Sequence, residues 1–140
     1  MRRGFTLIEA LAALAVTGIL ILVSVSASVN LAPKYRLGRA TWEIQTRLCY
    51  ARYKAIRQGY PVRLKFSPTG YTVEKYDDGL DAWQPESAGA IEGVWIQANN
   101  TPTFHPAGTV SNFATILVSN SWGTNKITLA ITGRIKVTEL

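Results

Sequence analysis

Glu9 is the one charged side chain between Arg3 and Lys34, and it stands just before a run, Ala10 to Val29, that carries no charge at all. About 20 consecutive apolar residues suffice to cross the hydrocarbon core of a bilayer as a helix. A carboxylate at the centre of such a helix costs roughly 2.5–3.5 kcal/mol on insertion scales, so Glu9 calls for a positive partner at similar depth. A free amine would appear there if the chain were cut between Gly4 and Phe5. The short basic leader, Arg2 and Arg3, precedes that bond.

The other residues able to do chemistry are few. Gly133-Arg134-Ile135-Lys136 places two cations around a turn. They can neutralise phosphates, or serve as solvated cations on a plain hairpin. His105, the single histidine, has no nearby Ser, Cys and carboxylate set and reads as a strand-end residue. Asp77, Asp78 and Asp81 with Gly79 lack the EF-hand spacing, so a polar hairpin loop is expected rather than a calcium site. Trp83, Trp95 and Trp122 could line a sugar or protein surface, with core and turn packing as the plainer reading. Cys49 is alone, cannot form an internal disulfide, and is expected to be buried. There is no zinc spacing, no phosphate-binding glycine loop and no nucleophile constellation, so no enzyme, cofactor or metal is expected.

The elements that must position these residues follow from pattern. A secretory signal peptide has an apolar region of about 7–15 residues, and the run here is longer, although Ser24-Val25-Ser26-Ala27 resembles a cleavage site. An intramembrane carboxylate is functional by default, which argues against an ordinary anchor. Cations flank both ends, Arg2 and Arg3 before, Lys34, Arg36 and Arg39 after, so charge alone does not orient the segment. The residues beyond it support one small domain.

The net charge of +6 resides in one stretch: Lys34, Arg36, Arg39, Arg47, Arg52, Lys54 and Arg57 stand against Glu43 alone. Leu37, Ala40, Ile44, Leu48, Ala51 and Ala55 recur at spacings of three and four, which predicts a helix with one apolar face. Arg36, Arg39, Arg47, Lys54 and Arg57, with Glu43 among them, fall on a neighbouring stripe, and Tyr35, Trp42 and Tyr53 on a third. The helix is expected to run from near Phe5 to Gln58, capped by Gly59 with Pro61 beyond. Pro33 predicts a kink or local melt over Asn30 to Pro33. Pro61–Phe66 and Tyr71–Tyr76 read as a hairpin, and Asp77 to Gly89 as a loop. Gly93–Gln97, Thr103–His105, Phe113–Ser119, Lys126–Ile131 and Ile135–Val137 are further strand candidates. Five to seven short strands in an antiparallel sheet on the helix give an α+β fold.

Gly4-Phe5-Thr6-Leu7-Ile8-Glu9 after a basic leader resembles the N-terminal signal of type IV pilins and type II secretion pseudopilins. The helix end Ala51-Arg52-Tyr53-Lys54-Ala55 through Gly59 to Val62, with Phe104-His105-Pro106-Ala107-Gly108-Thr109 and Thr132-Gly133-Arg134-Ile135-Lys136-Val137, resembles the GspH/FimT group within that class. The resemblance implies a long N-terminal helix packed on an antiparallel β-sheet domain. It implies a leader over 1–4, a transmembrane and polymerising half-helix over 5–30, and a periplasmic domain over 31–140, with an amphipathic helix at 34–58 and sheet at 60–138. A membrane peptidase would cut between Gly4 and Phe5 and methylate the new amine. Glu9 would then pair with the amine of Phe5 in a neighbouring subunit. The implied partners are other pilin subunits, the prepilin peptidase and an inner-membrane assembly platform, and the implied location is the bacterial inner membrane, from which the chain enters a pilus or pseudopilus. Some relatives bind DNA through a Gly-Arg-x-Arg turn; here Lys136 replaces the last Arg, which keeps a point charge but loses the bidentate fork.

Overall fold

The structure, a computed structural model, describes residues 6–140 and, within them, leaves aside the side chains of 23–30. Helix α1 spans Leu7–Gln58, 52 residues. Thr6 opens it: the Glu9 N–H donates to the Thr6 carbonyl at 3.1 Å and lies 3.4 Å from Thr6 Oγ1. With Glu9 three residues after Thr6, the start reads Thr-x-x-Glu, the sequence pattern of a capping box. At the far end Gly59 takes φ 75° and its N–H reaches the Ala55 carbonyl at 3.0 Å, the left-handed cap that glycine adopts without a Cβ penalty.

Of the kink or melt expected over Asn30 to Pro33, the melt does not occur; α1 is helical through Pro33. Proline removes a single N–H from the ladder, and the turns on either side keep their own bonds. Asn120 also holds this point, donating Nδ2 to the Pro33 carbonyl at 2.7 Å. Among the described residues no helix is long and apolar enough to cross a membrane. The span expected over 5–30 includes Phe5 and the side chains of 23–30, which lie outside the described residues.

The chain divides into two units, residues 1–32 and Pro33–Leu140. In the second, nine strands among the described residues follow α1: β1 Val62–Ser67, β2 Gly70–Asp77, β3 Ala82–Ala90, β4 Trp95–Ala98, β5 Thr103–Phe104, β6 Val110–Ser111, β7 Thr115–Ser119, β8 Thr124–Leu129 and β9 Ile135–Glu139. They form two antiparallel sheets instead of one, in the orders β3-β2-β1-β5-β6 and β4-β7-β8-β9. The expected hairpin is present, closing at the pair Ser67–Gly70.

The expected loop from Asp77 to Gly89 is mostly β3, an edge strand paired with β2. Pro85 is tolerated because it sits on an edge, and at a bulge. Val73 pairs with Ser87 and Glu74 with Pro85, so Glu86 is the extra residue.

Both sheets and α1 enclose one core. The helix contributes Leu37, Ala40, Ile44, Leu48, Ala51 and Ala55, all buried as their spacing predicts; Val62, Leu64, Val73 and Phe104 come from the first sheet and Ile96, Ile116, Val118, Ile127 and Leu129 from the second. A buried polar pair sits within it: Asn125 donates Nδ2 to Thr41 Oγ1 at 3.0 Å, and Thr41 donates onward to the Leu37 carbonyl at 2.8 Å. That chain satisfies groups whose desolvation would otherwise be costly.

Candidate functional site

Two regions hold the residues singled out by sequence. At the N-terminus Gly4 and Phe5 lie outside the described residues. Glu9 sits exposed in the first turn of α1, where its charge complements the helix dipole. Among the described residues it forms no ion pair.

At the other end β8 and β9 form a hairpin around Ala130–Arg134. The Gly133 N–H donates to the Ala130 carbonyl at 2.8 Å, and the Ala130 N–H to the Arg134 carbonyl at 3.0 Å. Gly133 has φ 78°, and an added Cβ there would stand 2.8 Å from Arg52 Cζ. Arg52 lies against this turn, its Nη1 3.4 Å from the Gly133 carbonyl and its Nε buried without a hydrogen-bond partner. Gly108, in the turn after β5, also packs on Arg52 and on Ile56. One helical arginine therefore supports both glycine turns, a role the Ala-Arg sequence gave no means of reading.

Arg134 and Lys136 are exposed on the outward side of this hairpin, as expected for solvated cations. The structure adds Lys126, which the sequence reading passed over. Lys126 pairs with Thr138 and Thr128 with Lys136 across β8 and β9, so alternation puts both lysines on one face. With Arg134 they line a shallow groove of about 470 Å³. None of the three cations is ion-paired among the described residues. The register of the hairpin was the signal that could have found Lys126.

The basic stripe on α1 is not uniform. Arg36, Arg39 and Arg57 are exposed, but Lys54, expected outward, is buried and ion-paired to Glu86. Burial acts to lower the Lys54 pKa, and the hydrogen bond and charge of Glu86 outweigh it, leaving it above the ordinary lysine value. The bulge in β3 supplies the partner. Arg47 lies over the Tyr71 ring at 5.5 Å, and the Tyr71 hydroxyl donates to Glu43 at 3.2 Å. Burial first, then the nearby Glu43 carboxylate, raise the Tyr71 pKa against the opposing pull of Arg47.

Cys49 is exposed, contrary to expectation; it lies on the side of α1 away from the core. Trp95 and Trp122 are also exposed instead of packed in the core, whereas Trp83 stacks edge-on with Tyr76 at 5.2 Å. Trp95 points outward because its neighbour Ile96 takes the inward position. His105 lies one residue beyond the end of β5, with Nε2 2.8 Å from Ser111 Oγ. In the Asp77–Asp81 turn, Asp77 accepts from the Gly79 N–H at 3.0 Å and Asp81 accepts from the Tyr76 hydroxyl. Among the described residues no three of His, Cys, Asp or Glu converge as metal ligands would.

A long helix opening on this motif and packed on antiparallel sheets defines a type IV pilin-like protein, and residues 1–25 match the prokaryotic N-terminal methylation motif. Residues 40–133 match the family described as type II transport protein GspH, and the chain belongs to that family. The fold is shared with the minor pseudopilin EpsH of the Vibrio cholerae type 2 secretion system, at 12% identity and a TM-score of 0.64 over 74% of this chain and 97% of that one. It is shared also with the type IV minor pilin FimU of Pseudomonas aeruginosa, at 18% identity and a TM-score of 0.62 over 75% and 90%. No curated protein sequence matches. The motif and family describe membrane-anchored filament subunits of a structural kind.

Proposed function

We propose that this chain is a minor subunit of a type II secretion pseudopilus or a type IV pilus, contributing to filament assembly or to its tip and thereby to protein secretion. It is made in the inner membrane with its sheet domain in the periplasm. A prepilin peptidase cuts between Gly4 and Phe5, and an assembly platform then passes the chain into the filament. The observation that carries this reading is Glu9: an acid placed in the first turn of an apolar helix, without an ion-pair partner among the described residues. Glu9 sets axial register by pairing with the processed Phe5 amine of a neighbour, and the sheet domain presents the outer surface. The role is structural rather than catalytic.

Glu9→Ala is expected to leave membrane insertion intact and to abolish incorporation into filaments. Normal incorporation of that variant sinks the register argument. Gly4→Ala is expected to leave an unprocessed, slightly larger precursor on a gel. Loss of the protein separates the two systems: folded exoproteins held in the periplasm mark a secretion pseudopilin, loss of piliation alone a pilus initiator.

A second reading, DNA capture for natural transformation, is favoured by the grouping of Lys126, Arg134 and Lys136 on one outward face. Three clustered cations suit sequence-independent phosphate contacts. A mobility shift of the full chain in detergent on duplex DNA, at two salt concentrations, tests it. Arg134→Ala and Lys126→Ala should each weaken binding and flatten the salt dependence; binding unaffected by either removes this reading.

A further inference from the structure

Asn120 gathers three segments at the end of the sheet domain where the chain enters it. Its Nδ2 donates to the Pro33 carbonyl at 2.7 Å and stands 3.5 Å from that of Gly93, and its Oδ1 accepts from the Trp122 N–H at 2.9 Å. The helix, the β3–β4 connection and the β7–β8 turn are thereby fixed to one another. Arg36 tightens the clamp: a Cβ on Gly93 would stand 2.8 Å from Arg36 Cδ, so the arginine stem packs directly on that backbone. Around the clamp aromatic rings face outward. Trp122 follows Asn120 by two residues and Trp95 pairs with Ser119 just before it; they are 53 and 57% exposed. Tyr35, two residues after Pro33, is exposed as well. Lys34 Nζ lies 5.6 Å from the centre of the Trp122 ring, and both side chains line a pocket of about 210 Å³ with Gly38, Thr124 and Glu139.

The sequence sets the depth of these residues. Five positions separate Val29, where the apolar run ends, from Lys34, about 7.5 Å of helical rise. The headgroup layer of a bilayer is about 5–7 Å thick on each side of the hydrocarbon core. With the run in the core, Lys34 and the Trp122 ring beneath it stand at headgroup depth. Tryptophan and tyrosine concentrate at that level, where an apolar ring and a polar N–H or O–H are both accommodated. The charges at this end do not call for an anionic surface. Lys34 shares its pocket with Glu139, and Arg36 and Arg39 share another with Glu43 and Glu92. A cation and an acid in one open pocket suit a headgroup that carries both signs.

We propose that this end of the sheet domain is a lipid-docking surface. While the chain is anchored in the membrane, Tyr35, Trp95 and Trp122 enter the headgroup layer, and the pocket takes a zwitterionic phospholipid headgroup, Lys34 meeting its phosphate and Glu139 its ammonium. The proposal rests on the membrane stage of the filament reading and adds what the domain itself does there: it fixes its own height and tilt on the bilayer before assembly.

The test uses the full chain reconstituted in phosphatidylcholine vesicles whose acyl chains are brominated near the glycerol end, where bromine quenches tryptophan in the upper part of the bilayer. Of the four tryptophans, Trp95 and Trp122 are expected to be quenched. Trp42, about 20 Å of helical rise beyond Val29, and Trp83 are not. Trp95→Phe with Trp122→Phe should therefore abolish the quenching, whereas Trp42→Phe with Trp83→Phe should keep it. Circular dichroism should show the fold unchanged in the first pair, since both side chains are exposed. Quenching should be the same with phosphatidylglycerol added and should withstand salt, which screens attraction to an anionic surface. Glu139→Lys should shift the preference toward phosphatidylglycerol. Quenching carried by Trp42 and Trp83, quenching lost in salt, or no shift with Glu139→Lys overturns the proposal. So does flotation with the vesicles without quenching, which would leave this end free for a protein neighbour. A chain that fails to float overturns the membrane stage as well, and normal incorporation of Glu9→Ala counts against the register argument alone.

Discussion

Removing Glu86 should cost more than removing its partner. The Lys54 side chain is 8% exposed and that of Glu86 33%, so the ion pair lies between the surface and interior regimes. Exposed pairs contribute about 0–1 kcal/mol, and breaking a fully buried pair by deleting one partner costs about 3–5 kcal/mol. With solvent screening on the Glu86 side, Glu86→Ala is expected to destabilise the fold by roughly 1–2 kcal/mol, because the Lys54 ammonium stays buried without its carboxylate. Lys54→Met keeps the volume and removes the charge, and should be near neutral. Urea unfolding of the full chain in detergent, followed by tryptophan fluorescence, reads both. The pH dependence has a definite sign. The folded pKa of Lys54 is raised, so the pair's contribution is complete below the unfolded lysine value of about 10.4 and is lost as pH rises through the folded one. The gap between wild type and Glu86→Ala should therefore be constant near neutrality and close in strong alkali. Equal cost for the two substitutions, or a gap that widens with alkali, would refute the reasoning.

Three further outcomes follow from the packing. Leu48→Ala, at a fully buried helix position, should cost about 2–5 kcal/mol in the same assay; a loss below that range would mean the helix is looser on the sheets than its burial implies. Gly133→Ala forces an L-residue to φ 78° against Arg52, and should cost about 1–2 kcal/mol from the backbone alone. Combining it with Arg52→Ala should cost less than the sum of the two single variants. Asn125→Ala strands the Thr41 hydroxyl without its donor, and a loss of about 1–3 kcal/mol is expected, with Thr41→Val partly relieving it in the double variant.

Much of the helix was legible because its signals are local. The three-and-four spacing from Leu37 to Ala55 named the buried face residue by residue, and Gly59 before Pro61 fixed the end. β3 was not legible, since Gln84-Pro85-Glu86-Ser87-Ala88-Gly89 has no strand propensity and is extended only because β2 lies beside it. Lys54 was misplaced for the same reason: its burial depends on a bulge that brings Glu86 from far along the chain. Residue type points Cys49 inward, but its place on α1, on the far side from Ala40, Ile44 and Ala51, decides its exposure. In the candidate site, Arg134 and Lys136 were visible in the turn motif, but Lys126 entered only with the β8–β9 register, and the support from Arg52 only with tertiary packing.

The order of the strands carries a mechanical consequence. β4 belongs to the second sheet although β3 before it and β5 after it belong to the first, so the chain weaves between layers and neither layer is a continuous length of sequence. A tug on this domain has no seam along which to peel one layer away. It should resist as a single block and give way in one cooperative step under load.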